Sequence, residues 1–166
     1  MERIIKILET INRRGMDRVI AYLRESNYAT ARCSSHHKYR GGLVDHSLEV
    51  YHLMLERRGT LNKESIAICA LLHDLGKSYC ANYHPQGSHY ERSIAILDRC
   101  DFDITADERN AILNHHIISL EYVTNSLRHC LSSSDMSSTG EWKKANPSKN
   151  PLKQLRNNIL YAISKW

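Results

Sequence analysis

His73 and Asp74 stand side by side at the end of an apolar run, CALLHDLGK over residues 69–77. An imidazole and a carboxylate are both costly to bury without partners, so a segment built for the interior that ends in both implies a bound group that satisfies them. Taken alone, the pair reads as a helix-end aspartate beside a satisfied core histidine; a metal ion is the other candidate, because imidazole nitrogen and carboxylate oxygen are donors that transition metals accept. Helical spacing sets Ile66, Ala70 and His73 on one face, with Lys77 continuing it a turn later and Asp74 rotated by about 100°. A short carboxylate and a longer imidazole can then converge on one ion just inside that face.

Two distant residues repeat the pattern. His46 shares a helical face with Val50, Leu53 and Arg57, a stripe otherwise committed to packing. Asp135 follows a helix whose apolar face includes Val123, Leu127 and Leu131, and it stands four residues beyond Leu131 on the buried side. A buried carboxylate must be neutralised, paired or coordinated.

The segments GGLVDHS at 41–47, ALLHDLGK at 70–77 and SSSDMSS at 132–138 resemble the HD-domain metal-dependent phosphohydrolases, in that family's order of H, HD and D. The resemblance covers Gly41 to Ser138. It implies an all-α fold with the site in the middle of a helical bundle, where facing helices supply metal ligands. It also implies that His46, His73, Asp74 and Asp135 hold one metal. In family members with two metals, further histidines complete a second site; His89 in GSHYERS, and His115 or His116 in NHH, match those places. No Gly-Tyr-Pro sequence follows the double histidine, which disfavours the cyclic-dinucleotide phosphodiesterases of the superfamily.

Mixed imidazole and carboxylate ligands suit Mn, Fe, Co, Ni or Zn better than Mg. One such ion, or two, would lower the pKa of a water that attacks phosphorus and would neutralise phosphoryl charge. Asp74 and Lys77 are the catalytic candidates. Lys77, Lys38, Arg40 and Arg92 are the candidates for binding substrate phosphates, and His36 and His37 lie in the same loop as Lys38. Asp45 and Glu91 are candidates for orienting ligand imidazoles.

The expected activity is hydrolysis of a phosphoester or phosphoanhydride bond in a small nucleotide, a nucleoside mono- or triphosphate. One alternative is an HD module that holds metal without catalysis and serves as sensor or partner. Another is a basic helical protein that binds nucleic acid, with affinity falling steeply in salt and no need of metal.

The elements that must position these residues are helical. Ile4, Ile7, Leu8 and Ile11 predict a first helix ended by Gly15, and Val19, Ile20 and Leu23 a second. A polar loop follows over 26–42. Helices are expected from 44 to 58, from 63 to 74 with Asn62 as cap, and from 89 to 99. Thr105 and Glu108 have capping-box spacing before a helix reaching His116. A further helix over about 120–133 leads to Asp135, and 137–150 reads as a non-periodic loop. Asn150 and Pro151 open a last helix over about 151–165. The sum is an all-α bundle of seven or eight helices, forming one HD-type domain over 1–166 with its motifs in 41–138.

The totals agree with this. A chain of 166 residues, 42% hydrophobic and 25% charged, has an ordinary globular composition that can bury a core within one domain. Five cysteines without a CxxC pair, and an N-terminus lacking the apolar centre of a signal peptide, predict a reducing, cytoplasmic setting. No apolar run approaches the roughly 18 residues of a membrane span. A net charge of +5 favours anionic ligands without separating nucleotides from nucleic acid.

Overall fold

The structure, a computed structural model, describes residues 1–81, 83–117, 126–145 and 159. Within them run α1 (Glu2–Leu8), α2 (Met16–Glu25), α3 (Gly42–Arg57), α4 (Lys63–Leu72), α5 (His89–Arg99), α6 (Ala106–Asn114) and α7 (Leu127–Ala145). Short 3₁₀ turns occupy Asn27–Thr30 and Leu75–Lys77. There is no strand among the described residues, so the fold is all-α as the periodicity predicts, with its helix count in the expected range.

The molecule is organised around α4. Every residue from Ile66 to Leu72 is buried, so this helix is apolar on all sides and needs neighbours on all sides. It packs against α1, α3, α6 and α7. Each buried Leu or Ile there contributes about 1.5–3 kcal/mol relative to exposure. Asn62 starts the helix, its Oδ1 accepting from the backbone N–H of Glu64 at 2.8 Å and of Ser65 at 3.4 Å. Capping boxes start α5, with Ser88 and Glu91, and α6, with Thr105 and Glu108. Glu108 is also fully buried, and both of its carboxylate oxygens accept from Arg13 Nη1, Oε2 at 2.8 Å and Oε1 at 2.9 Å, tying the α1–α2 connection to α6.

Three expectations are corrected. The helix expected over 63–74 ends at Leu72: His73 is its last bonded residue, through N–H to Cys69 O at 3.0 Å, and Asp74 has left the helix at φ −103°, ψ 13°. The polar loop over 26–42 does not lie open. Tyr28 is fully buried with its hydroxyl between Ser47 Oγ at 2.7 Å and Leu71 O at 3.0 Å, and Cys33, His36 and His37 are buried behind it.

The third correction concerns α7, which begins at Leu127 and continues through the expected loop to Ala145, so Asp135 lies inside a helix. Its buried face there is Ser134, Ser137 and Ser138, all less than a tenth exposed. Small polar side chains show no hydrophobic period, yet they let α7 approach α3 and bond to it: Arg57 donates to Ser137 Oγ at 2.9 Å. The helix expected over 151–165 lies outside the described residues, apart from an exposed Ile159. No helix among the described residues is long and apolar enough to cross a membrane.

Candidate metal centre

The site forms where α3, α7, the end of α4 and the start of α5 meet. Two glycines permit the approach. A Cβ on Gly76 would lie 2.1 Å from His89 O, so only glycine lets α5 dock on the 3₁₀ turn after Asp74. A Cβ on Gly42 would lie 2.0 Å from His37 O, so the loop carrying His36 and His37 can fold against the start of α3. Buried Ser93 pins the first of these junctions: its Oγ accepts from Gly76 N–H at 2.8 Å and lies 2.7 Å from His73 O and 2.9 Å from His89 O, either of which can take its proton.

Side chains from these four elements converge there, joined by His115 from the end of α6. His46 Nε2 is 3.1 Å from Asp135 Oδ1 and 3.5 Å from Asp74 Oδ2. His73 Nε2 is 3.4 Å from the same Asp74 oxygen, and His89 Nε2 is 3.5 Å from the other, Oδ1. The His115 ring is 5.0 Å from that of His73 and 5.5 Å from that of His89. Donor atoms of His46, His73 and Asp135 lie within 4.8 Å of one another, and so do those of His73, Asp74 and His115. Lys77 Nζ sits 2.5 Å from Asp74 Oδ2.

The hydrogen bonds behind this cluster leave the converging atoms bare. His73 Nδ1 is 3.0 Å from Ala70 O, and His115 Nδ1 is 2.7 Å from Ile112 O. A carbonyl only accepts, so each Nδ1 carries the proton and each Nε2 presents a lone pair. His46 Nε2, His73 Nε2 and Asp74 Oδ1 are buried without any hydrogen-bond partner. Such orphans are rare because each costs about 1–3 kcal/mol. His46 Nε2 and His73 Nε2 face the same Asp74 oxygen, Oδ2, beside Asp135, while the orphaned Oδ1 faces His89; the set is two imidazoles and two carboxylates, the mixture that transition metals take, and it fits a divalent cation.

Electrostatics point the same way. Burial disfavours charge on His73, but the Asp74 carboxylate outweighs it and raises the pKa above the usual value. Burial likewise works against ionised Asp74, yet His73 and Lys77 hold it well below the carboxylate range. Asp135 is also depressed, burial being overcome by the adjacent His46 imidazole. A field that attracts a proton to His73 attracts a cation in its place. His46 is instead lowered by burial, as are His115 and His89, the last to about 4.

The sequence candidates divide clearly in space. His46, His73, Asp74 and Asp135 come together, with His89 and His115 on the far side of Asp74. His116 turns outward, exposed, and stacks on Tyr90 with ring centroids 4.1 Å apart and planes 9° apart. Lys77 is on the cluster and Arg92 is half-buried one turn beyond His89, whereas Lys38 and Arg40 are exposed. Asp45 bonds outward to the Tyr39 hydroxyl at 2.8 Å, and Glu91 serves as the α5 capping residue.

Sequence reasoning missed the supports. His46 Nδ1 lies 3.0 Å from Ser138 Oγ, which is 2.7 Å from Glu49 Oε2; the same oxygen is 3.1 Å from His37 Nε2. His37 Nδ1 is 2.9 Å from His36 Nδ1, and the His36 ring packs against His46 at 4.5 Å. Burial holds the His36 pKa down at about 2. Serines and a surface glutamate carry no signal of their own in the chain; only the three-dimensional contact reveals them.

Comparison with known proteins agrees with this geometry. A family model described as HD domain matches residues 43–155. A curated relative, the dihydroneopterin 2',3'-cyclic phosphate phosphodiesterase of Methanocaldococcus jannaschii, is 26% identical over 147 residues, covering 70% of this chain and 59% of the relative. The chain therefore spans less than two thirds of that relative's length. No solved structure matches.

Proposed function

This chain belongs to the HD domain family, and from that premise we propose that it is a metal-dependent phosphohydrolase whose substrate is a small nucleotide. The observation that carries the proposal is the pair of orphaned nitrogens, His46 Nε2 and His73 Nε2, facing the same Asp74 oxygen beside Asp135. In this reading those four residues hold one divalent transition metal, and Asp74 with His89 and His115 offers donors for a second. When bound, the metal supplies Lewis acidity, lowering the pKa of a water toward neutrality and offsetting negative charge on phosphoryl oxygens.

The chain's own residues do the rest. Lys77 pairs with Asp74 Oδ2 and holds that carboxylate ionised and oriented. Its ammonium, at the margin of the cluster, also attracts the substrate phosphate. Arg92, with an unpartnered buried Nε, contributes a second positive charge from α5. Lys38 and Arg40, on the outer surface, are suited to distal phosphates and to drawing anions toward the site. His46, His73 and Asp74 are almost fully buried, so charges beside them act at reduced dielectric.

The relative's name adds phosphodiesters of a heterocyclic compound to the substrates worth testing. The experiment is metal analysis of the purified protein, followed by a phosphate-release and phosphodiesterase screen over nucleoside mono- and triphosphates and 2',3'-cyclic nucleotides. It is repeated with Asp74→Ala. Loss of metal and turnover together supports the proposal; full turnover by Asp74→Ala overturns it. Tight nucleic-acid binding that survives metal removal would favour the basic binding protein instead.

A further inference from the structure

Glu49 belongs to no ligand set and lies half-exposed on α3, yet one of its oxygens gathers two separate chains of hydrogen bonds that each end on an imidazole of the site. Counting protons along them gives a definite result. Ionised carboxylate oxygens only accept. Ser138 Oγ, 2.7 Å from Glu49 Oε2, must therefore spend its single proton on that bond. Its lone pair is left for His46 Nδ1 at 3.0 Å, so His46 carries its proton on Nδ1 and presents a bare Nε2. On the second branch His37 Nε2, 3.1 Å from the same oxygen, must be the protonated nitrogen. With His37 neutral, its Nδ1 accepts from His36 Nδ1–H at 2.9 Å, and His36 too is left with a bare Nε2.

We propose that Glu49 is a positioning residue which fixes the tautomers of both His46 and His36, so that one surface carboxylate leaves His46 Nε2 bare at the metal centre and His36 Nε2 bare on the ring packed against it. The His46 branch rests on the metal reading given above for its consequence, while the tautomers themselves do not. The backbone is shaped to hold the second branch: His37 adopts φ 41°, in the left-handed region that a side-chain-bearing residue seldom enters, and the glycine at 42 is what admits its carbonyl. Strain of this kind persists where surrounding structure over-determines it. The His36–His37 turn is therefore built to bring the rings inward, where His37 meets Glu49 and His36 meets His46.

The test reads tautomers directly, by long-range ¹H–¹⁵N correlation of the histidine rings in metal-free protein, and then reads affinity by titration with Mn²⁺ alone. Wild type should show Nδ1–H forms for His46 and His36 and an Nε2–H form for His37. Glu49→Ala should convert His46 and His36 to mixtures and weaken Mn²⁺ binding by about 10–100-fold, the usual cost of losing an outer hydrogen-bond partner of a metal ligand. Glu49→Gln keeps an acceptor oxygen and should restore the tautomers and much of the affinity. Ser138→Ala should disturb His46 and leave His36 unchanged, which separates the branches.

Unchanged tautomers in Glu49→Ala, or a wild-type His36 protonated on Nε2, would overturn the proposal. So would Mn²⁺ affinity that is indifferent to Glu49→Ala in a protein that binds Mn²⁺ well. Tautomers that respond as expected in a wild-type protein that binds no Mn²⁺ would support the relay and sink only the metal reading.

Discussion

His89 Nε2 stands 3.5 Å from Asp74 Oδ1, while the other oxygen of that carboxylate faces His46 and His73. Asp74 is thus shared between two groups of donors, and it can be shared because it lies just outside α4. Had the helix continued through residue 74, the carboxylate would follow the helical screw away from α5. Gly76 and the Ser93 hydroxyl create the turn that sets α5, and His89 with it, against the second oxygen.

The first prediction concerns metal count. If Asp74 serves both donor groups, wild-type protein loaded with excess Mn²⁺ and passed through a desalting column should retain two ions per chain by elemental analysis. His89→Ala and His115→Ala should each retain one. His116→Ala should retain both, because that ring is exposed on Tyr90. A second ion lost equally in His116→Ala would show that the outward ring participates after all.

Asp135 supplies the second prediction. It contacts His46 at 3.1 Å and is only partly covered, so Asp135→Asn should fold normally by circular dichroism. It removes one negative donor from the first group, and Mn²⁺ affinity should fall by at least tenfold with turnover falling alongside. Wild-type affinity in the variant would remove Asp135 from the ligand set.

How much of this was legible in the chain follows from what each feature depends on. His46, His73, Asp74 and Asp135 could be singled out as candidates because a polar side chain is conspicuous on or beside an apolar stripe. The caps at Asn62 and Thr105 are local chemistry, and the helices start where they indicate. The course of α7 was not legible, since Ser134, Ser137 and Ser138 bury themselves by hydrogen bonds and close approach to α3, with no hydrophobic period to read. The burial of the 26–42 loop was hidden for a related reason. Tyr28, His36 and His37 look like surface residues until Ser47, Leu71 O and Glu49 are brought to them by the fold.

Gly76→Ala is the third prediction. An added Cβ would meet His89 O at 2.1 Å and the Arg92 Cβ at 2.7 Å, contacts that backbone must move to relieve. Overpacking of this kind costs about 1–3 kcal/mol, and each kcal/mol is roughly 2–4 °C of melting temperature in a chain this size. The melting temperature should drop by several degrees and metal occupancy at the His89 side should fall. A stable variant with unchanged metal count would show that α5 docks without needing the glycine.

The last prediction lies away from the metal centre, where pH can be read without it. Glu108 is fully buried against Arg13, whose side chain is 16% exposed. Burial would raise the Glu108 pKa, but bonds from Ser65, the Thr105 backbone and Arg13 lower it below the usual 4.5. A depressed native value means that the unfolded chain takes up its proton first on acidification. The stabilisation is therefore complete well above pH 4.5 and is lost as pH falls through the native pKa. Glu108→Ala leaves Arg13 with only its half-exposed partner Glu64, at 3.3 Å, and should cost about 1–3 kcal/mol at neutral pH. Glu108→Gln keeps the shape but removes the titration, so between pH 6 and 3 its unfolding free energy should decline less steeply than that of wild type. Urea melts across that range measure both slopes, and parallel slopes would show that Glu108 is not a source of the acid sensitivity.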